Sequence, residues 1–188
     1  MILITGIGNK DVKYYNTRHN VGYDAVEYKR QALRLEGFSA HDILKRDRLL
    51  LSAVAIVRWG LDEVILLQKT QTVMNRAGEA VQRVFDAHND INEFVLFHDD
   101  LDIKLGEYKI QKGKSPKGHN GVKSVEKALG TTDFWRVRIG IENRDGKDIP
   151  GEEYVLKRFS KEEREIVNGA IIEACEDLLF TELFEKWI

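Results

Sequence analysis

Four consecutive apolar residues, Phe94-Val95-Leu96-Phe97, run without a turn residue straight into His98-Asp99-Asp100. A short continuous apolar run of this kind reads as a buried strand. This one delivers titratable groups to its end, which is where open α/β sheets place their ligands. The rest of the chain has to supply partners that cover such a strand and a rim at which its polar end can act.

Met1 to Ile7 reads as a second buried strand, and the Gly6-Ile7-Gly8-Asn9 that closes it permits a tight turn or close backbone approach. The spacing of Tyr23, Val26, Ala32 and Leu33 predicts a helix over 21–35. Leu49 to Val57 and Val64 to Leu67 look like neighbouring strands around a Trp59-Gly60-Leu61-Asp62 turn. A helix is expected from Gly78 to His88, and further strands from Glu107 to Ile110 and from Trp135 to Ile141. Between those two strands, Asn120 can cap a helix that runs to Leu129 and ends at Gly130. Ser160 and Glu163 have capping-box spacing, and the helix they open presents Ile166, Ala170, Ile171, Ala174 and Leu178 on one face. Strands alternate with helices, without repeats or low-complexity linkers. The reading is one α/β domain over residues 1–188, a mixed β-sheet sandwiched between helices.

A chain of 188 residues, 43% hydrophobic, can bury a proper core. The single cysteine, Cys175, excludes an internal disulfide framework and a cysteine-based zinc site; it falls on an apolar helix face and reads as core. No stretch approaches the ~20 apolar residues that a spanning helix needs. Ile2 enters a core strand with no signal-like leader before it, so the expected compartment is the cytoplasm, with the mitochondrion as the alternative. A net charge of −2 does not announce a nucleic-acid binder. Its distribution says more: between Lys104 and Lys123 six lysines face one acid, Glu107. Such an excess could form a phosphate-facing patch, although charge runs are usually solvated loops.

Three polar clusters sit at the ends of apolar segments: Asn9 with Thr17-Arg18-His19-Asn20; Thr72-Val73-Met74-Asn75; and His98 to Asp102 with Gly118-His119-Asn120-Gly121. His19 is the natural general base, because imidazole accepts a proton near neutrality. Asp99 could orient it and fix its tautomer. Alone, a histidine is more often a satisfied hydrogen-bonding residue, and an aspartate a loop carboxylate or cap. There is no Gly-x-Ser-x-Gly elbow, so water activated by His19 is a simpler nucleophile than a serine. Asn9, Asn75 and Asn120 could hold that water, a carbonyl or a developing oxyanion, though each could equally be a turn or cap residue. The acids near His98 match neither an EF-hand nor a zincin spacing, so no metal and no other cofactor is expected.

Taken in order, Gly6-Ile7-Gly8-Asn9, Tyr14, Thr17 to Gly22, Met74-Asn75 with Gly78, His98 to Asp102, Gly118 to Ser124 and Arg136 to Gly140 closely resemble the bacterial-type peptidyl-tRNA hydrolase family over about residues 2 to 160. The resemblance implies hydrolysis of the ester between a peptide C-terminus and the 3′ ribose of tRNA. It implies His19 as general base and Asp99 as its orienting carboxylate. Asn9, Tyr14, Met74, Asn75 and Asn120 would contact substrate, with Met74 and Asn75 lining the peptide channel. Lys109 and Arg138 would clamp tRNA phosphates, and Lys112, Lys114 and Lys117 would extend that surface. Sequence-independent phosphate contacts suit an enzyme that must accept many tRNAs. The expected partner is peptidyl-tRNA, with no obligate protein partner and a monomeric state.

The chain departs from the family pattern at Lys10-Asp11, where Pro-Gly is usual, at Thr70, where a proline is common, and at Lys114-Ser115-Pro116-Lys117, which replaces a glycine-rich run. These touch loop geometry and tRNA affinity more than the catalytic set. The rival reading is a non-catalytic RNA-binding relative of the same family, against which the retention of both His19 and Asp99 argues. A hydrolase for other small esters or peptides is a second rival, disfavoured by the lysine cluster.

Overall fold

In the computed structural model the described residues are 1–35, 39–40, 44–59 and 63–178. The apolar runs form the middle of an eight-stranded sheet. Its strands are β1 (Ile2–Gly6), β2 (Ser39–Ala40), β3 (Lys45–Asp47), β4 (Ser52–Trp59), β5 (Glu63–Thr70), β6 (Glu93–Lys104), β7 (Tyr108–Lys112) and β8 (Trp135–Glu142). The order is β2-β4-β5-β1-β6-β8-β7, with β3 also paired to β4. β5, β1, β6 and β8 run parallel, while β2, β3, β4 and β7 add antiparallel pairs at the flanks. Consecutive β4 and β5 pair as an antiparallel hairpin and β7 and β8, joined through α3, are antiparallel too, so the parallel pairs are confined to the β5-β1-β6-β8 centre.

Five α-helices lie among the described residues: α1 (Val21–Leu35), α2 (Ala77–Ala87), α3 (Asn120–Leu129), the short α4 (Gly151–Tyr154) and α5 (Lys161–Asp177). α1 and α5 cover one face of the sheet, where Ile4, Val26, Phe97, Val137 and Ile171 share a core. α2 and α3 cover the other, over Leu3, Leu66, Val81, Leu96 and Val125. The central strands are therefore buried on both faces, which is why they read as continuous apolar runs rather than alternating ones. Among the described residues no helix is long and apolar enough to cross a membrane.

α1 begins directly against the sheet. A Cβ on Gly6 would lie 2.1 Å from the Gly22 carbonyl oxygen, and one on Gly22 would lie 2.5 Å from that of Phe97. Only glycines permit this approach, and it brings the turn before α1, which carries His19, down onto the ends of β1 and β6.

Several boundaries differ from the sequence expectation. β4 starts at Ser52 because Asp47 Oδ1 accepts the amides of Leu49 and Leu50 at 2.8 and 3.0 Å, turning the chain first. The turn expected over Trp59 to Asp62 falls largely on residues 60–62, outside the described residues. α3 is capped by His119, not Asn120: the His119 side chain accepts from the Val122 amide. Gly130 ends α3 in the left-handed region, at φ +67°. The Ser160–Glu163 capping box opens α5, but Ile166 is 50% exposed and Val167 takes the buried position instead.

Candidate active site

A cleft of about 600 Å³ opens at the rim where β1 and β6 end. β6 continues as a strand through His98, Asp99 and Asp100, which are nearly fully buried, so its carboxylates are fixed by the sheet and not by a loop. His19 Nδ1 lies 2.9 Å from both Asp99 carboxylate oxygens. A second histidine, His119, places Nε2 2.9 Å from Asp99 Oδ1.

The hydrogen-bond partners assign the tautomers. His119 Nδ1 accepts the Val122 amide at 3.2 Å, so Nε2 carries the proton it donates to Asp99. Both nitrogens of that ring are committed. His98 Nδ1 donates to the Asp99 carbonyl at 2.7 Å, and its Nε2 is buried without a partner among the described residues. His19 donates through Nδ1 and keeps Nε2 free on a ring that lines the cleft. Of the three, only His19 can act as a base on a substrate.

Electrostatics agree. Burial would lower the His19 pKa, but the Asp99 carboxylate beside it outweighs that and holds it above the ordinary 6.5. Burial works against ionisation of Asp99, yet its two histidine partners keep it well below the usual carboxylate range. Full burial, reinforced by His119 and Arg138, pulls His98 down to about 3, so this ring is neutral.

The surrounding scaffold accounts for the other polar motif residues. The Asn20 side chain accepts the Asn9 amide at 2.8 Å and donates to the Asn9 carbonyl at 3.1 Å, tying the loop after β1 to the turn before α1. Asn9 Oδ1 in turn accepts the Met74 amide at 2.9 Å, which leaves Asn9 Nδ2 as the donor it can offer to the cleft. Tyr14, Met74, Asn75 and Asn120 line the same cleft. Met74 is packed so closely against the start of α3 that a Cβ on Gly121 would lie 2.3 Å from its sulfur.

Arg18 is buried and holds the segment after α4. Its guanidinium donates to the carbonyls of Lys157 and Arg158 and pairs with Glu163 Oε1 at 2.6 Å, with the Tyr154 ring 4.2 Å away. The His19 amide donates to the Val155 carbonyl at 2.8 Å. One cleft wall, containing Gly151, Glu152, Val155 and Leu156, is thereby built on the segment that carries the base. The sequence reading gave no role to this wall, to Leu101 or to His119, and α4 is too short to leave a periodic signal.

The lysine-rich connection divides. Lys117 lines the cleft, and Lys114 is exposed in the loop beside it. Lys109 is exposed on edge strand β7, paired in register with Arg138. Lys112 is also exposed, 3.9 Å from Asp133. Arg138 does not match the expected free phosphate clamp. It is 6% exposed, with Nε on Asp100 Oδ2 and Nη1 on Gln111, both at 2.7 Å, because Asp100 leaves a carboxylate in the sheet that needs a cation.

His19, Asp99 and His119 are also the metal-ligand type of cluster, with donor atoms within 4.8 Å of one another. Their 2.9 Å contacts are of hydrogen-bond length and satisfy the carboxylate directly.

The family model for peptidyl-tRNA hydrolase matches residues 3–186. A peptidyl-tRNA hydrolase of Shouchella clausii is 40% identical over 172 residues, covering 90% of this chain and 87% of that one. One from Halalkalibacterium halodurans is 37% identical over 177 residues, covering 91% and 88%. The crystal structure of peptidyl-tRNA hydrolase from Acinetobacter baumannii superposes with a TM-score of 0.78 at 27% identity, over 95% of this chain and 86% of that one. With a family match over nearly its whole length, relatives at this identity and the same α/β architecture, the chain belongs to the peptidyl-tRNA hydrolase family.

Proposed function

We propose that this chain hydrolyses the ester between a peptide C-terminus and the 3′ ribose of tRNA. The observation that carries the reading is the free Nε2 of His19 on the cleft, with Nδ1 held by Asp99 at 2.9 Å. Nε2 takes a proton from water as its oxygen attacks the ester carbonyl, and the ionised Asp99 stabilises the imidazolium that forms. The Asn9, Asn75 and Asn120 amides hold the water, the carbonyl or its oxyanion. Collapse of the tetrahedral intermediate breaks the bond to the ribose oxygen, which takes the proton from His19. The products are a peptide carboxylic acid, which ionises to the carboxylate by releasing its proton to solvent, and a tRNA with a free 3′ hydroxyl.

Tyr14 and Met74 shape the peptide side of the cleft. Lys109, Lys114 and Lys117 serve the RNA side, with Lys112 at its margin. Arg138 acts in support, holding Asp100 and Gln111 in place. The enzyme works as a monomer in the cytoplasm and needs no metal. The competing reading, an RNA-binding protein without activity, has no use for a base kept free on the cleft. The test is release of peptide from N-blocked aminoacyl-tRNA without added metal, with the His19→Ala variant alongside. Release by the wild type and a loss of at least ~10²-fold in the variant support the mechanism. Normal turnover by His19→Ala removes the general base, and tRNA binding without release by the wild type favours the binding protein.

A further inference from the structure

Six histidine, lysine and carboxylate side chains line the cleft: His19, Asp99, Asp100, Lys117, His119 and Glu152. Four of them are committed within the protein. His19 and His119 both hold Asp99, and Asp100 holds Arg138. Lys117 and Glu152 remain, both exposed and neither in an ion pair or hydrogen bond among the described residues. They come from different elements, Lys117 from the lysine-bearing connection between β7 and α3, and Glu152 from the first turn of α4. Glu153, the next residue, is neutralised by Lys157 at 2.8 Å, whereas Glu152 has no such neighbour.

An unneutralised carboxylate is unfavourable wherever a polyanion must lie. In a cleft that accepts peptide and RNA together, Glu152 is therefore suited to contact the peptide and Lys117 the RNA. Beside Glu152 on the same wall are Val155 and Leu156, the latter 43% exposed. An apolar surface next to a free carboxylate matches a lysine or arginine side chain, whose methylene stem can lie on the apolar part while its charged end reaches the acid.

We infer that Glu152 is a specificity-determining residue that favours peptides with a cationic side chain near the ester over those with an acidic one. This rests on the hydrolase reading, and its test separates the two. The probes are N-acetylated dipeptidyl-tRNAs and tripeptidyl-tRNAs made on one tRNA, identical except for Lys, norleucine or Glu at one position before the esterified residue. For the wild type kcat/KM should fall in the order Lys, norleucine, Glu, with Lys over Glu by about 3- to 10-fold for a solvent-exposed pair. Added salt should compress that ratio. Glu152→Gln should bring it close to one, and Glu152→Lys should reverse it. Because each ratio is taken within one protein preparation, a variant that folds less well does not disturb it. Equal rates for the three probes in the wild type, or a ratio that survives Glu152→Gln, overturn the role of Glu152. Absence of release from all three would instead overturn the hydrolase reading beneath it.

Discussion

The Arg18 guanidinium meets Glu163 Oε1 at 2.6 Å, joining two residues that are 145 positions apart in the chain. Glu163 also accepts the Ser160 amide through Oε2, so one side chain caps α5 and anchors the turn that carries His19. Glu163→Gln can keep the capping box, since glutamine serves there, but it leaves the buried Arg18 charge without its counter-ion. We expect a loss of roughly 2–3 kcal/mol, somewhat below that for breaking a fully buried pair. Ser160→Ala should lose only about 1 kcal/mol. Urea unfolding of both variants decides it: equal losses would mean that the ion pair adds nothing beyond the cap.

His19 must be neutral to accept a proton, and its pKa is held above 6.5 by Asp99 against the opposing effect of burial. The acidic limb of kcat/KM should therefore lie above pH 6.5. In Asp99→Asn only the lowering effect of burial remains, so the limb should move to lower pH while the plateau drops by ~10²-fold or more. A pH–rate profile of each protein is the check. A limb that stays in place in Asp99→Asn would mean that the titrating group is not His19.

His98 affects stability with the opposite sign to His19. A histidine whose folded pKa is pulled down to about 3 adds stability above its unfolded value of 6.5, and that stability is lost as pH falls from 6.5 towards 3. The raised pKa of His19 adds stability below 6.5, which is lost as pH rises through its folded value. His98→Asn retains a donor where Nδ1 stands but does not titrate in this range. Its melting temperature at pH 7 should be lower and its decline towards acid shallower. If the acid slope matches the wild type, a group other than His98 is responsible.

Lys117 lines the cleft, whereas Lys112 sits near Asp133. Lys117→Ala should raise KM and reduce the slope of log kcat/KM against log salt by about 0.7–0.9, the value for one lost phosphate contact. Lys112→Ala should change it less. Should Lys112→Ala flatten the salt dependence as much, the RNA would have to lie across the Asp133 side of β7.

The parts of the fold legible in the sequence are those whose burial leaves a pattern. β1 and β6 are enclosed on both faces, and their apolar runs showed it; α1 falls on the predicted 21–35. Ile166 and Val167 are neighbours on α5, and composition alone cannot say which lies at the centre of the buried arc; contact with the sheet selects Val167. His119 and Asn120 can both cap a helix, and the Asp99 carboxylate selects His119 by holding its other nitrogen. Arg138 was expected to clamp tRNA phosphates from the resemblance alone, while the buried Asp100 that draws it inward is distant in sequence. The wall around Glu152 was invisible because α4 is too short to show periodicity.

Because Asp99 lies within central strand β6, the ladder amides between β6 and β8 beside it should exchange with solvent only when the whole domain unfolds. The connection at 114–118 lies outside the strand ladders, so its amides should exchange sooner. The cleft thus joins a floor as durable as the domain to a rim that can rearrange locally, so successive substrates of different shape can enter and leave while the base and its carboxylate keep their spacing.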